Sequence, residues 1–136
     1  MKHPFWRSDF FLYQLPAVLW AVFIFVSSSV PSKDIPNLFL LRYDKIIHAG
    51  IFFLFSFFLY RALRHQKRFP LLATHAMIFT LLLAAVYAAT DETHQMFVSG
   101  RTADILDFAA DTVGAGALLL LVRIRAAFRK PHPKAP

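Results

Sequence analysis

Three short stretches hold most of the residues that could do chemistry. Asp44-Lys45-Ile46-Ile47-His48 brings an acid, an amine and an imidazole within five positions. Residues three and four apart share a helix face, so Lys45 and His48 point the same way and Asp44 joins His48 from one turn earlier. Thr90-Asp91-Glu92-Thr93-His94-Gln95 adds two acids and a second imidazole, with Asp91 and Gln95 on one face. Gly100-Arg101 is followed by Asp104, Asp107, Asp111 and Gly114, at steps of three, four and three. That spacing makes a single stripe of carboxylates ending in a small residue.

Buried carboxylates and imidazoles can be tuned to give and take protons near neutral pH. Glu92, His94, His48 and Asp107 are therefore the candidates for catalysis. Arg101 and Lys45 suit a phosphate or carboxylate, and with Gln95, Asp44, Asp91 and Asp111 they form the candidate binding set. Arg101 is expected to pair with one carboxylate, and Asp107 and Asp111 to orient Arg101 or His48. No H-E-x-x-H or G-x-S-x-G signature is present. A divalent cation on Asp107, Asp111, Glu92 and His48 is chemically reasonable, but no spacing demands one, and neither a metal nor a cofactor is assigned.

These residues must be positioned by membrane helices. The chain of 136 residues is 57% apolar with 16 Phe, and its mean hydropathy is +0.50. A soluble domain this short lacks the interior to hide so much apolar surface. Four runs reach the ~17–25 residues that a bilayer span needs: about 10–30, 46–63, 71–90 and 105–122. The fold class is an all-α, polytopic membrane bundle of four transmembrane helices in a single domain, 1–136. The first run starts basic, with Lys2 and Arg7, and ends on Ser27-Ser28-Ser29, as a signal peptide could. Its apolar stretch exceeds the ~7–15 residues of a signal core and no A-x-A site follows, so it reads as a retained span. Pro31 and Pro36, then Pro70, then Ser99-Gly100 mark the connections. The basic, proline-rich tail from Arg123 reads as mobile, and the phenylalanines mostly as lipid-facing filler. Ala110, Gly114 and Ala117 form a stripe that lets another backbone approach. His65, His3 and His132 read as solvated.

The absence of cysteine excludes disulfides, thiolate metal sites and cysteine nucleophiles. The net charge of +7 would raise nucleic acid as a partner, but its distribution is a topology signal. Basic residues in short loops favour the cytoplasm. With the N-terminus inside, eleven of the fifteen Lys and Arg residues fall on the cytoplasmic side, and Lys33, Arg42, Lys45 and Arg101 fall outside. Of the eight acids only Asp9 is inside. The expectation is an inner (cytoplasmic) membrane protein with both termini cytoplasmic, anchored to anionic lipid rather than nucleic acid. Asp111 lies ~10 Å along its helix from Asp104, below the headgroups. Carboxylates at that depth face the bundle interior and find partners, so the second, third and fourth runs should converge around a polar cavity open to the outside. Polar residues confined to one end make a poor conduit for ions or protons.

The ordered set of motifs resembles the VanZ-like membrane family. It comprises Asp44-Lys45-x-x-His48, Asp91-Glu92-x-His94-Gln95-x-Phe97, Gly100-Arg101 and Asp107-x-x-x-Asp111-x-x-Gly114, preceded by Ser28 and Pro31. The likeness spans about 23–116 and departs at Ser99, where the family often has proline. It implies a role near envelope lipids or lipid-linked cell-wall precursors, and a link to low-level resistance to the glycopeptide teicoplanin. Two classes of function follow: a membrane enzyme on such a substrate, or a non-catalytic binding or partner protein. In the latter, the charges could do no more than fix helix packing. The sequence leaves the oligomeric state open.

Overall fold

The computed structural model describes residues 9–34 and 40–128. Lys2, Arg7, Pro36 and the chain beyond 128 lie outside the described residues. Among the described residues, four helices are long and apolar enough to cross a membrane. Helix α1 (Leu15–Ser28) continues from a five-residue π-helical turn, Phe10–Gln14. Pro16 stands at the start of α1. It cannot donate a backbone hydrogen bond, and its ring crowds the preceding turn. Widening that turn to π geometry, with the Leu15 N–H reaching back to Phe10 O, relieves the crowding without ending the span.

Helix α2 (Leu40–His65) runs for 26 residues, about 39 Å. It begins several residues before the expected start, because nothing between Pro36 and Ile46 breaks a helix. Asp44 and Lys45 therefore stand inside it. The expected third span is divided. Helix α3 (Pro70–Thr74) is a single turn begun by proline. His75, at φ −103° and ψ 30°, interrupts it before α4 (Ala76–Gln95). Helix α5 (Ile105–Phe128) carries through Arg123 and Arg125, so the tail is helical up to 128. Both arginines are compatible with helix and can reach toward the headgroups. With 24 residues, about 36 Å, α5 can cross the ~30 Å core despite Asp107 and Asp111.

Side-chain contacts give the up-and-down order. At one end Lys67 pairs with Asp9, and His65 stacks on Tyr13 and donates from Nδ1 to the Arg61 main-chain carbonyl at 3.0 Å, so His65 is engaged rather than merely solvated. At the other end the ends of α1 and α4 meet the starts of α2 and α5. Between them lies a core of Ile24, Phe52, Phe55, Ala84, Ala88 and Ala115. Phe52 and Phe55 are thus interior, not lipid-facing. Tyr87 donates to Ala21 O (2.6 Å) and Trp20 to Ile51 O (3.0 Å), tying α1 to α4 and to α2. Helices α2 and α5 form the most extensive interface. Gly114 sets its closeness: a Cβ there would lie 2.0 Å from Ala49 O. The small-residue stripe differs from expectation in one position, since Ala117 is exposed while Ala115 and Leu118 are buried.

Candidate functional site

The charged residues where α1 and α4 end and α2 and α5 begin sort into layers. Nearest the helix ends, Asp104 closes the start of α5. Its main-chain carbonyl accepts from the Asp107 and Phe108 N–H groups, and its Oδ1 accepts from Leu106 N at 2.8 Å. This is an N-cap, where a carboxylate satisfies free N–H groups and meets the positive end of the helix. Asp104 also joins two other helices. Its N–H donates to Glu92 Oε2 on α4 (2.7 Å), and its Oδ2 accepts from Lys45 Nζ on α2 (2.6 Å). The Lys45 ammonium, then the Leu106 N–H, hold the Asp104 carboxyl below its ordinary 3.8. Lys45 also bonds Asp107 (2.5 Å) and reaches Asp44 at 3.5 Å.

A second group lies between α1 and α4. Ser28 Oγ donates to Asp91 Oδ1 at 2.6 Å, and Gln95 Nε2 donates to Asp91 Oδ2 at 3.0 Å. All three residues are buried. Beside them, Ser29 Oγ contacts His94 Nε2 at 2.9 Å while donating to Phe25 O. The His94 ring is stacked on Phe25 and does not line the cavity described below.

The deepest group is His48, Asp111 and Glu92. His48 Nδ1 lies 3.1 Å from Asp111 Oδ1, whose residue has no exposure at all. His48 Nε2 faces Asp44 and Asp107, at 3.8 and 3.9 Å. The second oxygens, Glu92 Oε1 and Asp111 Oδ2, are buried with no hydrogen-bond partner among the described residues.

These groups border a cavity of about 660 Å³ between α1, α2, α4 and α5. Asp44, His48, Asp91, Gln95, Arg101, Asp104 and Asp107 line its polar part, and Ile24, Ile47, Ile51 and Phe52 its apolar wall. Glu92, Asp111 and Lys45 are not part of this lining, and His48, which is, reaches the fully buried Asp111. One expectation is corrected. Arg101 makes no ion pair among the described residues; Nη1 instead makes a long 3.4 Å contact with Ser28 O. The carboxylates that it was expected to meet are taken by Lys45 and His48. Its place is fixed by Gly100, whose φ of +75° closes the turn. A Cβ at Gly100 would lie 2.2 Å from Ser32 Oγ, and Ser32 N donates to Ser99 O.

This ordered arrangement occupies the middle of a region, residues 11–126, that matches the model of the VanZ/LLP1 family. The chain belongs to the VanZ/LLP1 family. No curated protein and no solved structure matches it. In this VanZ/LLP1 chain, sequence reasoning missed Ser28 and Ser29 as partners of the acidic helix end, and Asp104 as the residue joining three helices. The signal for the serines was weak but present: three consecutive hydroxyls ending an otherwise apolar run. For Asp104 it was a capping residue just before an apolar stretch.

Proposed function

We propose that the outer-face cavity binds the headgroup of an envelope lipid or of a lipid-linked cell-wall precursor. One observation carries this reading. A single cavity, within the ~300–1,000 Å³ range of small-molecule sites, joins an apolar wall of Ile24, Ile47, Ile51 and Phe52 to a polar rim with Arg101. An amphiphile needs both surfaces in contact. Arg101, free of any carboxylate among the described residues, supplies the fork of donors suited to a phosphate. The neighbouring Asp44 and Asp107 suit hydroxyl or ammonium groups. The split of basic residues supports the orientation this reading needs, with this end of the bundle outside the cytoplasmic membrane and both termini inside.

A second reading, that the protein acts chemically on this ligand, is favoured by His48 and Asp111. A buried carboxylate on Nδ1 fixes the ring so that Nε2 faces the cavity, the relation of a general base to the group that orients it. Glu92, with its unpartnered oxygen, is the second proton carrier within reach.

We further propose, from the family resemblance alone, that both readings bear on teicoplanin. The test is survival on teicoplanin of a Gram-positive host expressing the chain, Glu92→Gln or Asp107→Asn at matched membrane abundance, with envelope lipids compared in each. Protection or an altered lipid profile that both variants lose supports the reading. Protection that survives both substitutions makes the charges structural and removes the site. If expression changes neither survival nor lipids, the envelope reading fails.

A further inference from the structure

The carboxylate oxygens behind His48 present a problem that the binding reading leaves unsolved. Glu92 and Asp111 are 6% and 0% exposed, and each keeps one buried oxygen without a partner. Burying an unsatisfied carboxylate oxygen is costly, and two acids facing each other raise the cost. Lys45 does not relieve it, being engaged with Asp104 and Asp107. Arg101 does not reach them either; its contact is Ser28 O.

We propose that His48, Glu92 and Asp111 form a binding site for one divalent transition-metal cation. One ligand atom from each lies within 4.8 Å of the other two. Metal–ligand bonds of ~2.0–2.2 Å in a tetrahedral site space the donors about 3.4 Å apart. The three side chains would have to draw inward by about 1.4 Å at most, within the reach of small χ adjustments. The two unpartnered oxygens would become ligands, and two negative charges would be neutralised. Three protein ligands leave a position open, the pattern of sites that also take water or a substrate atom. The imidazole selects among metals. All-oxygen sites suit Mg²⁺ and Ca²⁺, whereas mixed imidazole and carboxylate donors suit Zn²⁺, Mn²⁺ and Fe²⁺.

The surroundings of His48 fit the role. With Nδ1 on the metal, the ring proton sits on Nε2, which faces the Asp44 and Asp107 carboxylates at 3.8 and 3.9 Å. A ligating imidazole whose other N–H meets a carboxylate is the usual second layer of a metal site. The same helices hold the ligands: His48 is next to Ala49, whose carbonyl meets Gly114, three residues from Asp111 on α5. The site stands on these observations whether or not the cavity takes a lipid.

The experiment uses the full chain, purified in detergent with its affinity tag removed. Bound metal is counted by elemental analysis, and affinity for Mn²⁺, Zn²⁺ and Mg²⁺ is measured by equilibrium dialysis. The expected result is about one Mn²⁺ or Zn²⁺ per chain, little Mg²⁺, and a melting temperature that rises on metal addition. Glu92→Gln and Asp111→Asn should weaken binding by at least the ~10–100-fold that loss of a mere supporting partner costs; His65→Gln and His75→Gln, at the opposite end, should not. Should a variant fail to fold, the bound Mn²⁺ of the unaltered chain still decides, because its pulsed electron-resonance spectrum must show one imidazole nitrogen. No stoichiometric binding of Mn²⁺ or Zn²⁺ overturns the proposal, as does binding that Glu92→Gln and Asp111→Asn leave intact or a spectrum without imidazole nitrogen. A shared proton between the two carboxylates would then account for the orphan oxygens. Teicoplanin survival is read in cells and reports the lipid reading separately, so failure of one leaves the other standing.

Discussion

Two glycine-to-alanine substitutions on α5 should have opposite signs, although they lie two residues apart. Alanine exceeds glycine in helix propensity by about 1 kcal/mol. At Gly116 nothing lies within 4 Å of the added methyl, so Gly116→Ala should gain up to about 1 kcal/mol. At Gly114 the methyl would meet the Ala49 carbonyl oxygen at 2.0 Å, its carbon at 2.7 Å and Cα at 2.8 Å. All three atoms are backbone, so no side-chain rotation can relieve the clash. Contacts under 3.0 Å essentially never occur for a Cβ, so α5 must retreat from α2 by at least about 1 Å. Overpacking of this kind costs about 1–3 kcal/mol, which exceeds the propensity gain.

The displacement also reaches the site. His48 Nδ1 and Asp111 Oδ1 are 3.1 Å apart across the same interface. A retreat of about 1 Å takes that pair beyond hydrogen-bond distance. Thermal unfolding of the two variants in one detergent should show Gly114→Ala melting several degrees below the unaltered chain and Gly116→Ala at or above it. Teicoplanin survival and metal retention should fall with Gly114→Ala alone. Equal melting temperatures, or Gly114→Ala raised like Gly116→Ala, would refute the close α2–α5 approach and the site geometry built on it.

The other expectations are smaller in scope. Ser28→Ala removes the 2.6 Å donor from the buried Asp91 and leaves Gln95 as its remaining side-chain partner. A charge-assisted bond of this kind contributes about 1.5–3 kcal/mol, to be read as a lowered melting temperature; an unchanged value would remove Ser28 from the α1–α4 contact. The native chain has no cysteine, so single-cysteine reporters are clean. In intact cells an impermeant maleimide should label Ser99→Cys, and label Lys67→Cys only after lysis. The reverse pattern would invert the proposed orientation.

The sequence made some layers of this structure legible and others not, for physical reasons. Lipid demands long apolar runs, so the four spans could be read from composition. Their ends could not. Asp44, Lys45 and Asp91 through Gln95 fall beyond the apolar runs 46–63 and 71–90, yet the helices continue through them, and Lys45, Asp91, Glu92 and His94 find partners across the bundle. Shared faces such as Lys45 with His48, or Asp107 with Asp111, follow from the helical repeat and were legible. Which face meets which depends on helix rotation and on close approach at Gly114, and no local spacing encodes it. Lys45 therefore took Asp104 and Asp107, which had seemed available to Arg101. Arg101 found a main-chain carbonyl, a partner with no signature in a sequence.

The charged end of the bundle contains two kinds of polar contact, and their difference bears on function. Ser28 and Gln95 fully engage Asp91, and Lys45 with the Leu106 N–H fully engages Asp104. Contacts of this sort suffice to set the register of α1, α2, α4 and α5. If packing alone were the purpose of the charged cluster, Glu92 Oε1 and Asp111 Oδ2 would add only cost, since each is a buried acceptor without a donor. Apolar residues of similar size in their place would hold the helices at least as well. The unsatisfied oxygens sit where the register is already determined, beside His48, the one imidazole among the described residues that lines the cavity. That placement separates the residues that build the bundle from those that it carries, and it is the reason for proposing the group around His48, rather than the more numerous ion pairs nearer the surface, as the functional centre.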